Sequence, residues 1–174
     1  AMLDALEPQG ARVASDAGTV CEIWLRKGME LGPPAGGLGD HMYGQLGDGT
    51  NVDKNIPVQV SGLNGVVAIA GGELHTVALK SDGTVWTWGG NGSGQLGNGT
   101  NVMSWTSVQV SGLSGIIAIA GGEAHTMALK SNGTVWTWGY NGNCQLGDGT
   151  NTDRWTPVQV NGINGVVAIA GGLH

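Results

Sequence analysis

The sequence predicts an all-β fold, an incomplete sector of about three four-stranded antiparallel propeller blades. Three observations predict it. First, the chain nearly repeats itself every 50 residues: Gly44-Gln45-Leu46-Gly47-Asp48-Gly49-Thr50 returns as Gly94-Gln95-Leu96-Gly97-Asn98-Gly99-Thr100 and as Cys144-Gln145-Leu146-Gly147-Asp148-Gly149-Thr150. Ser61–Val110 laid over Ser111–Val160 without a gap gives 36 identities in 50, and a period in this range marks a solenoid, a propeller or another array. Second, each unit holds four short apolar segments, none with the length and 3.6-residue period of an amphipathic helix. Third, glycine reaches 34 of 174 residues, the usage of many tight turns between short strands.

Within a unit, Val66–Ala70 is a short, nearly continuous apolar run, followed by His75–Leu79 and Thr84–Trp88 with β-branched and aromatic residues. Pro57–Val60, Ser107–Val110 and Pro157–Val160 close successive units after a long loop, Gly89–Trp105 in the first full copy. Asp82-Gly83 and Asn132-Gly133 are hairpin-turn dipeptides, because both central residues take positive φ readily. Asn64-Gly65 and Asn164-Gly165 read as a further turn. The register runs from Gly39 to the end: a partial unit at 39–65, full units at 66–115 and 116–165, and the start of another at 166–174. Residues 1–38 lie outside it. They hold a degenerate echo at Ser15-Asp16-Ala17-Gly18-Thr19-Val20 and a linker-like Pro33-Pro34-Ala35-Gly36-Gly37.

Composition narrows the function. Apolar residues make up 40% and charged residues 11%, which argues against a solvated, disordered chain. The formal charge is −6, and Lys54, Lys80, Lys130 and Arg154 are the only basic residues after Gly39. No stripe exists that could neutralise several phosphates, so nucleic acid is not an expected partner. The apolar runs are far too short to span a bilayer, and no secretory signal is evident. Cys21 and Cys144 sit in unlike contexts, and a disulfide framework would recur with the repeat, so both read as free thiols.

The blocks Gly-Gly-Glu-x-His-Thr-x-Ala-Leu-Lys-Ser-x-Gly-Thr-Val-Trp-Thr-Trp-Gly-x-Asn, then Gln-Leu-Gly-x-Gly-Thr and Val-Gln-Val, resemble the RCC1 repeat (regulator of chromosome condensation 1). The motif stands essentially whole in 66–110 and 116–160 and partly in 39–60 and 166–174. The resemblance implies blades of four antiparallel strands around an axis, usually about seven to a ring, hence about 350 residues at this repeat length. Fewer than three units are present, so the chain reads as a fragment of a longer polypeptide, or as one that associates with further copies. Consecutive units are expected to lock their indole-bearing sides against each other like wedges of a wheel.

Most chemistry-bearing residues have a scaffold reading. His75 and His125 recur beside Glu73 and Glu123, but repeated positions spread around an axis cannot converge on a metal, so each imidazole is expected to fix a strand entry by bonding backbone groups. Trp86 and Trp88, like Trp136 and Trp138, lie at i and i+2 on one strand face and suit packing between blades. Ultraviolet sensing, which the resemblance brings to mind, lacks its tryptophan motifs here. Asp48, Asp53 and their loop fail the EF-hand spacing. No catalytic triad assembles, and neither enzyme activity nor a cofactor or metal is expected.

Specificity then falls to loop residues that differ between units: Gly90/Tyr140, Ser93/Asn143, Gly94/Cys144, Val102/Thr152, Met103/Asp153 and Ser104/Arg154. Tyr43, Trp105, Tyr140, Arg154 and Trp155 are residue types enriched in binding hot spots, and are the candidate partner-binding set. The expected function is a non-catalytic protein–protein interaction scaffold. Two other readings stay open: guanine-nucleotide exchange on a small GTPase, which the resemblance implies, and a secreted or surface repeat that binds carbohydrate or polymer. The Gly-, Thr- and Asn-rich repeats lean towards a bacterial envelope or extracellular protein, with the cytoplasm left open.

Overall fold

The structure is a computed structural model and describes residues 43–52 and 58–172. The echo at 15–20, the linker at 33–37, Cys21, Asp53, Lys54, Pro57 and His174 fall outside the described residues. Among the described residues eight strands form two four-stranded sheets. The first blade holds β1 (Val66–Gly71), β2 (His75–Lys80), β3 (Val85–Gly89) and β4 (Ser104–Gln109). The second holds β5 (Ile116–Gly121), β6 (His125–Lys130), β7 (Val135–Gly139) and β8 (Arg154–Gln159). Each sheet is antiparallel in sequence order, so the fold is all-β with no crossover inside a blade.

The hairpins form where the sequence puts them. Lys80 N–H donates to Thr84 O and Gly83 N–H to Lys80 O, both at 2.9 Å, so Ser81 and Asp82 are the central residues of the turn. Of the Asp82-Gly83 pair only Gly83 takes a positive φ, 76°, and the two positive-φ residues expected from the dipeptide are not found. The Asp82 carboxylate accepts from Thr84 N–H at 3.0 Å and from its hydroxyl at 2.6 Å. Asn132 does the same for Thr134 in the second blade, at 3.2 and 2.8 Å. The expected turn at Asn64-Gly65 differs. The tight turn falls at Ser61-Gly62 instead, while Gly65, at φ 66°, turns its carbonyl to accept from Ser81 N–H.

Alternation across the strands decides the architecture. His75 through Leu79 are buried without a break, so β2 is covered on both faces. On one face, Val77 and Leu79 pair with Thr87 and Val85; on the other, Thr76 and Ala78 pair with Trp88 and Trp86. The aliphatic face meets the next blade, in a core of Val77, Leu79, Val85, Val110 and Leu113 with Ile116, Ala128 and Trp138. The Trp88 face meets the preceding unit, packing with Val60 and Leu63.

Thus an indole side does not face another indole side, as the sequence suggested. It faces the aliphatic side of its predecessor, and the pattern is heterologous and repeats in one direction. The inner strands β1 and β2 pack on β5, and Glu73 N–H donates across the seam to Glu123 O at 3.1 Å. Gly121 has no room for a side chain, because a Cβ there would stand 2.6 Å from Gly71 O. The inner ends of the blades therefore converge, as wedges require. Residues 166–172, the sequence counterpart of β1 and β5, continue the pattern without a ladder. Val166 N–H donates to Gly133 O at 3.0 Å, and a side chain on Gly171 would collide with Gly121 O.

Candidate partner-binding face

The long loop between β3 and β4 opens at the end of the blade opposite the hairpins, and one asparagine organises it. The buried Asn141 amide donates to Thr150 O, Thr152 O and Asp148 Oδ1 at 3.0–3.2 Å, while its Oδ1 accepts Leu146 N–H at 3.0 Å. Asn91 repeats this with Thr100 O, Val102 O and Leu96 N–H at 2.9–3.0 Å. Thr87 and Thr137 hydroxyls reach into the same loops, to Leu96 O and Leu146 O at 2.7 and 2.6 Å. A loop so pinned presents its variable side chains from a fixed frame.

The same frame holds Asp148. Arg154 Nε donates to Asp148 Oδ2 at 2.6 Å and Arg154 Nη2 to Thr150 Oγ1 at 3.3 Å. Burial alone would raise the Asp148 pKa, but the Thr150 hydroxyl and N–H, the Arg154 guanidinium and the Asn141 amide together bring it down to about 2. In the second blade the cation beside this carboxylate is therefore a side chain. Among the described residues no group of three or more His, Cys, Asp or Glu is arranged to hold a metal, and no helix is long and apolar enough to cross a membrane.

Trp105, Arg154 and Trp155 do not lie in the loop, as the sequence suggested. They stand in β4 and β8, which begin at Ser104 and Arg154 instead of at residues 107 and 157. The sequence misses this because the ladder is bulged: Val108 lies opposite Thr87 and Ser104 opposite Gly89. Trp105 reaches the preceding unit, where its O accepts Gly49 N–H at 3.0 Å and its Cα would stand 2.7 Å from a Cβ on Gly44. Trp155 stands likewise over Gly94, with its O accepting Gly99 N–H at 2.8 Å. Both remain 41–45% exposed, and Tyr43 and Tyr140 are each 37% exposed.

These residues are brought to one end of the blades. Tyr43 Cδ1 lies 3.7 Å from where a Gly90 Cβ would be, beside Leu74. In the next unit the bulk is redistributed, with Tyr140 in place of Gly90, Ala124 in place of Leu74 and Ser93 in place of Tyr43. Gly142 allows the Tyr140 hydroxyl to fold against its own loop. Cys144 replaces Gly44 and Gly94 in the left-handed region, at φ 60°, and is an exposed free thiol.

The histidines and the buried tryptophans belong to the seam. Trp138 Nε1–H and the Thr126 hydroxyl both donate to Gln95 O at 2.9 Å. Trp88 and Thr76 do the same to Gln45 O at 2.8 and 3.1 Å. His75 Nε2 lies 2.9 Å from Thr126 Oγ1, so its partner is a hydroxyl of the next blade and not the backbone group expected from the sequence. Burial, with His125 nearby, pushes the His75 pKa down to about 4. Burial lowers His125 also, against the opposing pull of Glu123. Trp86 and Trp136 are partly buried, donate to Thr84 and Thr134 hydroxyls, and are capped by Lys80 and Lys130. Asn91, Asn141 and the Gln45 and Gln95 carbonyls escaped the sequence reading. Their signal was repetition in the two full units, which by itself does not separate a loop hub from a turn.

Four-stranded blades joined by heterologous seams, with long loops gathered at one end, define a sector of a β-propeller. The RCC1 repeat (regulator of chromosome condensation) matches residues 37–79, 82–129 and 132–174, and the chain belongs to this family. A second form of the repeat matches 66–95 and 116–145. The chain is similar in structure to human WBSCR16, with a TM-score of 0.67 and 28% identity, covering 78% of this chain and 37% of that one. It is also similar to Prp20p of Saccharomyces cerevisiae, a protein studied for its binding to Gsp1p and histones. There the TM-score is 0.65 and identity 18%, over 78% of this chain and 36% of that one, which speaks for the fold alone. A stretch of 51 residues is 43% identical to the human E3 ubiquitin-protein ligase HERC2, covering 27% of this chain and 1% of the ligase. The chain thus spans little more than a third of the solved chains and a very small part of the ligase.

Proposed function

We propose that these repeats form a non-catalytic protein–protein interaction scaffold that engages its partner through the loop end of the blades. The observation that carries this reading is the separation of roles along the repeat. The two full units share the residues that bond across the seams (Thr76/Thr126, Trp88/Trp138) and the hub asparagines (Asn91/Asn141), while many of the residues that vary cluster where aromatic rings stand half exposed. Variation on a rigid frame is how a repeat scaffold acquires specificity. Tyr43, Trp105, Tyr140 and Trp155 supply the anchors, and Arg154, held by Asp148, is positioned to contribute at the same end.

The test uses the immobilised chain and a Tyr43→Ala/Tyr140→Ala variant, with extract from the source organism and identification of retained proteins by mass spectrometry. Retention of a defined protein by the first and its loss by the second supports the proposal. Equal retention moves the binding face elsewhere. Accelerated release of a fluorescent guanine nucleotide from a bound GTPase would turn the reading towards exchange.

A further inference from the structure

The seam between the blades contains a relay whose proton count is fixed. Gln95 O is a carbonyl and only accepts. The Thr126 hydroxyl has one proton, and donates it to that carbonyl at 2.9 Å. His75 Nε2, 2.9 Å from the same hydroxyl oxygen, must then carry the proton of the pair. The neutral imidazole is consequently protonated on Nε2 and bare on Nδ1.

Nδ1 is fully buried and has no hydrogen-bond partner. It lies against Gly72, where a Cβ would collide with the ring, so no acceptor can be introduced there without moving the backbone. A second proton would add a buried N–H with nothing to receive it and a charge without a counter-ion in contact. The titratable groups facing the ring are few. His125 stands on β6, and Glu73 and Glu123 sit on the two connections joined across the seam. Strands β1, β3 and β5 and the loop 90–103 carry no ionisable side chain, and Lys80 and Lys130 lie at the far ends of β2 and β6.

We propose that the seam is an acid-sensitive latch: it is closed while His75 is neutral, and loosens between the blades when Nδ1 takes a proton. The blades themselves, whose ladders contain no histidine side-chain bond, stay folded as the seam opens. The device is independent of what the loop face binds.

Long-range proton–nitrogen spectra of the intact chain read the tautomer directly, and amide exchange reads the seam. Nε2–H is expected for His75 at neutral pH. Exchange protection of the cross-seam amides of Glu73 and Gly99 should fall by up to about 80-fold as pH drops from 6.5 to 4, the change implied by an open-state pKa of 6.5 and a folded pKa of about 4. Amides inside the β2–β3 hairpin should keep their protection. His75→Gln retains a donor for Thr126 but cannot titrate in that window, so its seam protection should lose most of that pH response, leaving only the share of His125. An Nδ1–H tautomer, titration of His75 at 6.5, or an unchanged pH response in His75→Gln would overturn the proposal. If His75→Gln does not fold, the wild-type tautomer and titration decide alone.

Discussion

Two pairs of tryptophans one strand apart show how the repeat divides its work. Trp88 and Trp138 have no exposed surface, donate to a carbonyl of the preceding unit and fill the seam. Trp105 and Trp155 also touch the preceding unit, through Gly44 and Gly94, yet keep nearly half of their surface in solvent. The same side chain is a keystone in the third strand and a half-buried ring in the fourth. Burial on both faces is available only to the middle strands of a blade, while the outer strand has a neighbour on one edge and water on the other.

The largest test of that contrast is truncation. Trp138→Ala should destabilise the chain by about 3–5 kcal/mol, since it opens a cavity in the inter-blade core and removes a donor from Gln95 O. Trp155→Ala, by contrast, should lose about 1 kcal/mol or less and act mainly on partner binding. Urea unfolding of both variants measures the difference, and equal losses would break the distinction. Next in size is the hub. Asn141→Ala leaves Leu146 N–H and two loop carbonyls without their partner, for a loss of roughly 2–3 kcal/mol in the same assay.

Most of the frame was legible in the sequence because turn chemistry and periodicity are local. Asp82-Gly83 can be read from two residues, and β2 from five. The start of β4 was not legible, because the bulge opposite Thr87–Gly89 depends on how the long loop returns. Nor was the partner of His75. Thr126 lies 51 residues away, and only the heterologous seam brings one unit's histidine to the next unit's threonine. The same limit hid Gln95, whose functional atom is a backbone carbonyl that no side-chain pattern reports. Of the candidate face, the residue types were legible, but their placement in strands was not.

Two smaller effects sharpen the contrast between invariant frame and variable end. Cys144 holds a left-handed backbone that glycine adopts freely at Gly44 and Gly94. Cys144→Gly should relieve about 1–2 kcal/mol of strain, offset by roughly 0.5–1 kcal/mol of added unfolded-chain entropy, for a net gain of about 0.5 kcal/mol in thermal unfolding. Asp148 provides the acid-side probe. Its pKa falls from 3.8 to about 2 on folding, so its contribution is complete above 3.8 and is lost as pH falls through about 2. Asp148→Asn should remove that increment of acid dependence, measured as the unfolding midpoint against pH, and keep the turn as Asn98 does.

Neighbouring units are locked by donors converging on one carbonyl of the preceding loop. A double-mutant cycle between Thr126→Val and Trp138→Phe tests it most directly, because each single change leaves Gln95 O one donor and the double change leaves it none. The double variant should lose about 1 kcal/mol or more beyond the sum of the single losses. Strict additivity would show that the two donors do not share an acceptor and that this carbonyl is not the lock.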